Sequence, residues 1–295
     1  MTQNTEYWPK ISVITPSFNQ GGFIEKTITS VLSQSYPNLE FIIVDGGSSD
    51  NTVEVIKKYE NSLHYWVSEP DRGQSHAINK GMAIATGEIL TWLNSDDIYL
   101  PGALHRFASA FQENPDIGIV VGEGRIVDLQ GKEIYYARPN AEINLTSLYG
   151  WLNDGDFLQP SSAFSRTAWY QSGPIDESVH IALDVDLWLR MAKNGVIFKS
   201  VNELLSEALS HPNAKTTAFE KLMFLDCSMV IIQHGGRKYV EKQLIDLVNK
   251  YSWYDKNYQI IVNNPIIKIL RPIIKRIARN EDQYWSEFIP PWLKK

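Results

Sequence analysis

The residues best suited to chemistry form a polar run, Asn94-Ser95-Asp96-Asp97, here called the tetrad. It directly follows the apolar segment Ile89 to Leu93, which predicts a buried strand. Carboxylates at a strand end can hold one side of a divalent cation such as Mg²⁺ or Mn²⁺, while the other side stays free for a diphosphate. A polar turn that caps a following helix, with Asp96 or Asp97 as the N-cap, explains the same residues. The tetrad alone therefore does not separate a metal site from a capped turn.

The elements that would position the tetrad alternate between strand and helix. This alternation predicts an α/β fold with a mainly parallel sheet flanked by helices. In such sheets, ligands bind beyond the carboxyl ends of the strands. The predicted strands are Ile11 to Thr15, Leu39 to Val44, Leu63 to Val67 and Ile89 to Leu93, and the predicted helices are Phe23 to Gln34, Thr52 to Tyr59 and Ser75 to Ala85. Polar groups follow these strands in Pro16 to Asn19, at Asp45, in Glu69 to Arg72 and in the tetrad.

The second half of the chain predicts further elements and then a helical extension. A hairpin is expected from Ile119 to Val127 and Glu133 to Tyr136, helices near Leu145 to Leu152 and Val185 to Lys193, and a strand from Val196 to Ser200. From about Phe219 onward the pattern is helical. We therefore predict a domain over residues 1–215 and a C-terminal helical extension over 216–295.

Composition limits the class of protein. The net charge is −6 over 295 residues, which gives no overall bias toward nucleic acid. The single cysteine, Cys227, excludes an internal disulfide and a cysteine-rich metal site. Met1 to Lys10 shows no signal-peptide pattern, and no uninterrupted apolar run reaches the roughly 18 residues of a membrane span. A cytoplasmic location is the expectation.

Four motifs, taken together and in order, resemble glycosyltransferase family 2. They are Thr15-Pro16-Ser17-Phe18-Asn19, Val44-Asp45-Gly46-Gly47-Ser48-Ser49-Asp50, Ser68-Glu69-Pro70-Asp71-Arg72-Gly73-Gln74 and the tetrad. The match runs from about Ile11 to His211. The resemblance implies a GT-A fold, with a Rossmann-like nucleotide-binding half and an acceptor half, and inversion of the anomeric centre.

The resemblance also implies which residues meet a nucleotide-sugar. Asp45 would contact the base, which favours a uridine nucleotide, and a diphosphate would be held with a divalent metal, Mn²⁺ or Mg²⁺. Asn94 stands where the family usually has Asp; its amide can hydrogen-bond ribose or sugar but brings no charge. The implied donor site comprises Pro16, Ser17, Asn19, Asp45, Gly73, His76, Asn79, Asn94, Ser95 and Asp96.

Two further implied roles concern the metal and the base. Asp96 would be the main carboxylate ligand, and His211 would complete the metal shell; an exposed loop histidine is the alternative for His211. An inverting transfer needs a carboxylate that removes a proton from the acceptor hydroxyl, and Asp184 matches the family segment that carries it. In a helix, Asp184 and Asp186 diverge, so only one can face the site, and Asp186 would then be an N-cap or a support. In the competing interpretation, Asp184 and Asp186 are both acids at the start of a helix, where the helix dipole favours negative charge.

The acceptor side is less defined. Gln159, in Gln159-Pro160-Ser161-Ser162, resembles the family segment that flanks the acceptor, and Asp186 lies on the same side. Trp151 and Trp188 offer a stacking face for a sugar, with core packing as the alternative.

A basic, isoleucine-rich segment from Asn264 to Arg279 predicts an amphipathic helix. Residues 264–295 would either contact the inner face of a membrane peripherally or pack on the protein or on a second subunit.

The predicted function is an inverting transfer from a UDP-sugar to a hydroxyl of a glycan or lipid-linked acceptor, in cell-surface polysaccharide synthesis. The alternative is a catalytically weak nucleotide-sugar-binding or scaffolding protein of the same fold. A nucleotidyltransferase is disfavoured because no Lys-containing, glycine-rich phosphate loop follows the first strand.

Overall fold

A computed structural model describes residues 7–152, 157–212, 214–215 and 220–249. The chain divides into two compact units, Met1–Val240 and Glu241–Lys295. The amphipathic segment predicted over 264–295 lies outside the described residues. Across the described ranges, no helix combines the length and the apolar character needed to cross a bilayer.

The described residues form nine labelled strands and eight labelled α-helices. The strands are β1 (Ile11–Ser17), β2 (Leu39–Asp45), β3 (Tyr65–Ser68), β4 (Ile89–Trp92), β5 (Ile98–Tyr99), β6 (Ile119–Val127), β7 (Glu133–Ala137), β8 (Ser162–Ser165) and β9 (Phe198–Leu209). The helices are α1 (Ile24–Leu32), α2 (Thr52–Lys58), α3 (Gln74–Ile84), α4 (Ala103–Glu113), α5 (Leu145–Tyr149), α6 (Arg166–Ser172), α7 (Leu183–Lys193) and α8 (Glu220–Gln233). Short 3₁₀ turns lie at Glu60–Ser62 and Gln159–Ser161, and residues 237–249 are also largely helical.

The strands form one sheet in the order β3-β2-β1-β4-β8-β6-β9-β5, with β7 added beside β6. The first four strands in this order are parallel to one another. β8 runs antiparallel to both β4 and β6, whereas β6 and β9 are parallel. The parallel half confirms the predicted alternation of strand and helix. Beyond β4 the sheet is mixed, because the chain returns to it through β8 in the opposite direction.

Both faces of the parallel strands are covered, which explains their continuous apolar runs. Along β2, Phe41 and Ile43 enter one core cluster, while Ile42 and Val44 enter another on the opposite face. The second cluster also receives residues of α7 and α8. The domain boundary predicted between residues 215 and 216 stays a prediction; α8, on its far side, packs into the core of the first unit.

Register brings the polar strand ends together. Ser17 at the end of β1 lies opposite Asp45 at the end of β2, which lies opposite Ser68 at the end of β3. β4 ends just before the tetrad, and β9 ends at Leu209, whose backbone N–H donates to Asp97 Oδ1 at 3.2 Å. The predicted strand Val196 to Ser200 was too short, because the exposed residues within β9 conceal its apolar pattern. The full length of β9 is what delivers His211 to the tetrad.

Candidate active site

Asp45 organises the turn that follows β2. Its carboxylate is fully buried, and Oδ2 accepts hydrogen bonds from the backbone N–H groups of Gly47 and Ser48 at 3.1 and 2.9 Å. The hydroxyl of Ser68 donates to the same oxygen at 2.6 Å, and that of Ser48 donates to Oδ1. These four donors tie β2 to β3 and fix the turn. The predicted contact between Asp45 and a base stays a prediction.

The loop after β1 locks onto that turn. Asn19, which adopts a left-handed backbone with φ of 52°, accepts the N–H of Ser49 at 2.9 Å, and its own N–H donates to Ser48 Oγ at 2.7 Å. Pro16 and Ser17 are buried at the end of β1. The Ser17 hydroxyl has no hydrogen-bond partner within the described part of the chain. These residues therefore lie side by side at the carboxyl edge of the sheet.

The segment before α3 lies beside the turn that follows β2. Gly73 is the N-cap of α3 with φ of 111°, a left-handed conformation that favours glycine, and its N–H donates to Asp71 Oδ1 at 2.7 Å. The Asp71 carboxylate lies against Gly46, where an added Cβ would stand 2.8 Å from Oδ2. His76 is half-buried, and its Nδ1 accepts the N–H of Arg72 at 3.2 Å.

Asn79 connects α3 to the segment that precedes α7. Its amide donates to the carbonyl of Ile175 and accepts the N–H of the same residue, both at 2.9 Å. Nearby, Arg72 forms a two-bond ion pair with Glu177. These contacts fasten α3 to the segment that leads to α7, so they join the nucleotide side to the acceptor side. The predicted contact of Asn79 with ribose or diphosphate stays a prediction.

The tetrad is not a helix cap. It leads into β5, and α4 begins only at Ala103 with Gly102 as its N-cap. The capped-turn interpretation of Asp96 and Asp97 is therefore wrong. Within the tetrad, Ser95 and Asp97 are buried, and Asp96 is partly exposed.

Asn94 acts as a neutral bridge. Its Oδ1 accepts from Gln74 Nε2 at 2.8 Å, and its Nδ2 donates to Asp97 Oδ2 at 3.1 Å. Burial, reinforced by the charge of Asp96, raises the pKa of Asp97 well above its ordinary value, against the donors from Asn94 and Leu209. An aspartate in place of Asn94 would set a third carboxylate against this pair. The neutral amide of Asn94 can therefore bond both Gln74 and Asp97 without adding a negative charge.

The structure brings the two predicted metal ligands together. His211 Nε2 lies 3.1 Å from Asp96 Oδ2, and the exposed fractions of the two side chains are 3% and 17%. The ring of Phe23 packs on His211, with centroids 4.4 Å apart. His211 is thus not an exposed loop histidine.

These two side chains fit a small divalent cation. The 3.1 Å separation is that of a direct hydrogen bond, and a carboxylate and an imidazole nitrogen are both groups that can ligate Mn²⁺. Within the described ranges, no group of three or more His, Cys, Asp or Glu side chains could hold a metal. Two protein ligands leave positions open for the oxygens of a diphosphate, so the donor set suits a metal that is shared with a substrate.

Asp184 stands in the first turn of α7 with a perturbed carboxyl group. Burial raises its pKa to about 6, against the N–H of Val185, which donates to Oδ1 at 2.8 Å, and against the charge of Lys215. A pKa near the working pH suits a general base. The position in the first turn also fits the interpretation of helix-start acids, but such a role does not require burial.

Asp186 points elsewhere, as the helical geometry predicts. Its Oδ2 accepts from Arg190 at 2.8 Å, and His234 Nε2 lies 2.8 Å from Oδ1. Burial acts to raise the pKa of Asp186, but the contacts with His234 and Arg190 outweigh it and lower the pKa. The N-cap of α7 is Ala182. Asp186 is therefore a support that ties α7 to the end of α8, and its carboxylate is committed to these two partners.

The two other predicted acceptor-side residues, Trp188 and Gln159, are both buried and in contact with other parts of the protein. Trp188 is fully buried and packs against Phe157 and Trp151, with centroids 4.5 and 4.9 Å away. Its ring faces are closed to a sugar, so core packing replaces the stacking prediction. Gln159 is 8% exposed; its Nε2 donates to the carbonyl of Trp92 at 2.8 Å, while its Oε1 has no partner in the described chain. Gln159 thus lies beside the end of β4.

Three residues escaped the sequence prediction. Gln74 joins Asn94 to Lys215, whose Nζ donates to Gln74 Oε1 at 2.9 Å. Asp226 on α8 accepts the N–H groups of residues 181 and 182, just before α7. Gln74 was part of a quoted motif, but its type gives no hint of this role. Lys215 and Asp226 sit in segments without a motif, and only the folded chain brings them to the site.

Comparison with other sequences identifies a family. A family model described as Glycosyl transferase family 2 matches residues 12–168. An uncharacterized glycosyltransferase of Rickettsia typhi is 28% identical over 282 residues, which cover 88% of this chain and 86% of the relative. The chondroitin synthase of Escherichia coli is 24% identical over 262 residues, which cover 83% of this chain but 36% of the synthase.

Comparison with solved structures supports the same fold. S. aureus TarS in complex with UDP-GlcNAc has a TM-score of 0.56 at 17% identity, over 75% of this chain and 65% of the other. The mannosyltransferase PcManGT from Pyrobaculum calidifontis, in complex with GDP-Man and Mn²⁺, has a TM-score of 0.57 at 20% identity, over 78% of this chain and 64% of the other. At these identities the similarity establishes the fold.

Proposed function

This chain belongs to glycosyltransferase family 2 and is a glycosyltransferase of the GT-A fold; from that premise we propose that it transfers a sugar, with inversion, from a UDP-sugar to an acceptor hydroxyl. One observation carries the proposal. His211 stands 3.1 Å from Asp96 of the tetrad, and Lys215, which is hydrogen-bonded through Gln74 to Asn94 of the tetrad, acts through its charge on the Asp184 carboxyl. The candidate base is thus coupled electrostatically to the candidate diphosphate site.

The donor would be held by the residues described above at the carboxyl edge of the sheet. Asp96 and His211 would hold a divalent metal, Mn²⁺ or Mg²⁺, which when bound neutralises the charge of a diphosphate leaving group. Asp45 and the loop around Asn19 would receive the nucleoside. The Phe18 ring, which is exposed beside this loop, would offer the nucleoside an apolar face. Asp96 is the partly exposed carboxylate of the tetrad, since Asp97 is buried and Asn94 is neutral.

The acceptor side would depend on Asp184. Its carboxylate would take the proton of the acceptor hydroxyl as that oxygen attacks the anomeric carbon. The bond between this carbon and the diphosphate oxygen breaks in the same displacement, and the nucleoside diphosphate leaves. The burial that raises the pKa of Asp184 also makes its anion a stronger base than an exposed aspartate.

The choice of donor and acceptor rests on similarity. One related structure is in complex with UDP-GlcNAc and another with GDP-Man, and a related sequence is a chondroitin synthase. A uridine nucleotide is proposed because Asp45 stands where the family contacts the base. A glycan or lipid-linked acceptor, a role in cell-surface polysaccharide synthesis, and a cytoplasmic protein in peripheral contact with the membrane through 264–295 complete the proposal.

A two-stage experiment tests the proposal. Binding of UDP and of GDP is measured by calorimetry with and without Mn²⁺, and UDP release from UDP-GlcNAc, UDP-Glc and UDP-GlcA is then followed with and without oligosaccharide acceptors. We expect UDP to bind more tightly with Mn²⁺ and at least one donor to be turned over. Absence of nucleotide binding, together with absence of turnover for every donor, would refute the proposal.

A scaffolding protein of the same fold remains the competing candidate, because Asn94 removes one family carboxylate. Asp184→Asn separates the two ideas, since it keeps the volume of the side chain and removes the base. The enzyme proposal expects UDP affinity within about twofold of wild type and turnover lower by about 10²–10⁴. Equal turnover in the variant and the wild type would contradict the assigned base.

A further inference from the structure

The backbone that leads into α7 is bonded by a carboxylate from another helix. The N-cap of α7 is Ala182, whose methyl side chain cannot accept a hydrogen bond. Asp226 on α8, 44 residues further along the chain, accepts the N–H of Ala182 at 2.9 Å. It also accepts the N–H of Ile181 at 2.9 Å, and the same oxygen, Oδ2, takes both bonds. The start of α7 is therefore held from α8.

Asp184 lies in the turn that these two bonds hold. It follows Ala182 by two residues, and its Oδ1 accepts the N–H of Val185 at 2.8 Å within the same turn. Because this carboxylate is bonded to its own turn, its position follows the backbone of that turn. A shift of Ile181 and Ala182 would therefore carry the Asp184 carboxylate with it.

A second polar contact between the same two parts of the chain lies beyond Asp184. His234, which directly follows α8, has its Nε2 at 2.8 Å from Asp186 Oδ1. Apolar side chains of both helices also share one core cluster. Polar contacts thus hold α7 on both sides of Asp184, and of these two contacts the one from Asp226 is made to the backbone.

We propose that Asp226 is a positioning residue that sets the first turn of α7 and thereby the place of the base Asp184. The inference rests on the proposed function, in which Asp184 takes the proton of the acceptor hydroxyl. Proton transfer requires the base to lie within hydrogen-bond distance of that hydroxyl, and a displacement of about 1 Å can lower a rate about 100-fold. The residues proposed to bind the donor, such as Asp45 and Asp96, follow or end other elements. Loss of the Asp226 contacts should therefore slow transfer and leave UDP binding intact.

Two variants of similar side-chain volume separate the hydrogen bonds from the charge. In Asp226→Asn, one amide oxygen can still accept both N–H groups, because a single oxygen accepts both in the wild type. In Asp226→Leu, neither N–H finds an acceptor. Transfer is measured with Mn²⁺, oligosaccharide acceptors and whichever of UDP-GlcNAc, UDP-Glc and UDP-GlcA the wild type turns over. We expect Asp226→Leu to lower kcat by about tenfold or more with Kd for UDP unchanged, and Asp226→Asn to keep most of the wild-type kcat.

Val230→Ala is the control for a general loss of packing between the helices. Val230 lies four residues after Asp226 on α8 and is buried in the core cluster that includes residues of α7. This variant should lower the melting temperature and keep kcat near the wild-type value. Equal kcat values for Asp226→Leu and wild type would overturn the proposal. So would an equal loss of kcat in Asp226→Asn and Asp226→Leu, or a loss of kcat in Val230→Ala that follows the melting temperature as it does in Asp226→Leu.

Amide hydrogen exchange, followed by NMR in the full chain, tests the two bonds without substrate. The amides of Ile181 and Ala182 should exchange slowly in wild type and Asp226→Asn and faster in Asp226→Leu. If Asp226→Leu does not fold, the other two proteins decide: fast exchange of Ile181 in the wild type, or an Asp226→Asn variant that does not fold or turn over the donor, overturns the proposal. If the wild type neither binds UDP nor turns over a donor, the proposed function fails and the positioning role fails with it. An active wild type beside an equally active Asp226→Leu overturns the positioning role alone.

Discussion

Replacement of Asp184 by asparagine should abolish transfer and, above pH 6, make the protein more stable. The two effects have one cause. Burial raises the pKa of Asp184 from 3.8 to about 6, so the fold holds this carboxylate in a setting that disfavours its charge. The charge is what a general base requires, and burial in the folded state disfavours that same charge.

The activity effect follows from the titration of one group. With a pKa of about 6, roughly nine-tenths of Asp184 is ionised at pH 7 and roughly one-tenth at pH 5. The kcat/KM of the wild type should therefore fall by almost tenfold between these two pH values. An exposed aspartate would keep its charge over this range and give no such fall.

The stability effect has the opposite sign. Between pH 3.8 and about 6 the folded state binds more protons at Asp184 than the unfolded state does. The stability that this group contributes is therefore present below pH 3.8 and is lost as the pH rises through about 6. A shift of about 2 units, at about 1.4 kcal/mol each, sets an upper bound of about 3 kcal/mol. Partial exposure and the nearby Lys215 make about 1–2 kcal/mol the expected gain at pH 8.

Urea unfolding of wild type and Asp184→Asn at pH 4, 6 and 8 measures this gain, and UDP release measures the loss of transfer. Asp186→Asn is the matched control on the same helix. It breaks the contacts with Arg190 and His234, so it should destabilise the protein at pH 8. If Asp184→Asn were as stable as wild type at all three pH values, the buried, disfavoured carboxylate inferred here would be refuted.

Three further predictions concern the tetrad and its surroundings. Asp96→Asn and His211→Gln should each weaken Mn²⁺-dependent UDP binding by about 10-fold or more in calorimetry, and an unchanged metal dependence would remove the pair from the metal site. Asn94→Asp should lower the melting temperature by the equivalent of about 1–3 kcal/mol, and added Mn²⁺ should restore part of it; a more stable variant without metal would contradict the role of the amide as a bridge. Asn79→Ala should cost about 1–3 kcal/mol in urea unfolding through the lost bonds to Ile175, whereas weaker UDP binding at unchanged stability would favour a ligand contact instead.

Local patterns predicted the parallel half of the fold well. Three of its strands, β1, β2 and β4, are short buried runs, because both faces of the sheet are covered there, and polar residues follow them. The edge strand β3 is only partly buried. β9 could not be delimited in the same way. Its residues alternate irregularly between core and solvent, since it pairs along most of its length with β6 and at one end with β5.

The candidate site was predictable where type and position in the chain suffice. Asp96 and His211 are found side by side, although 115 residues separate them. The partners of Trp188 and Asp186 could not be predicted, because contacts such as that of Asp186 with His234 depend on how α8 packs on α7. The same holds for Lys215: a lysine in a polar segment is usually exposed, and only the folded chain brings it, partly buried, to Gln74.

The contacts of α8 bear on how the catalytic part of this chain can be cut for expression. A fragment that ended at residue 215 would lose Asp226, which holds the start of α7, and His234, which holds Asp186. It would also expose the apolar surface that Cys227, Val230 and Ile231 now cover. The smallest fragment that preserves the setting of Asp184 should extend through Val240. A shorter fragment would show weak activity because the supports of α7 are missing, although the predicted base Asp184 is still present.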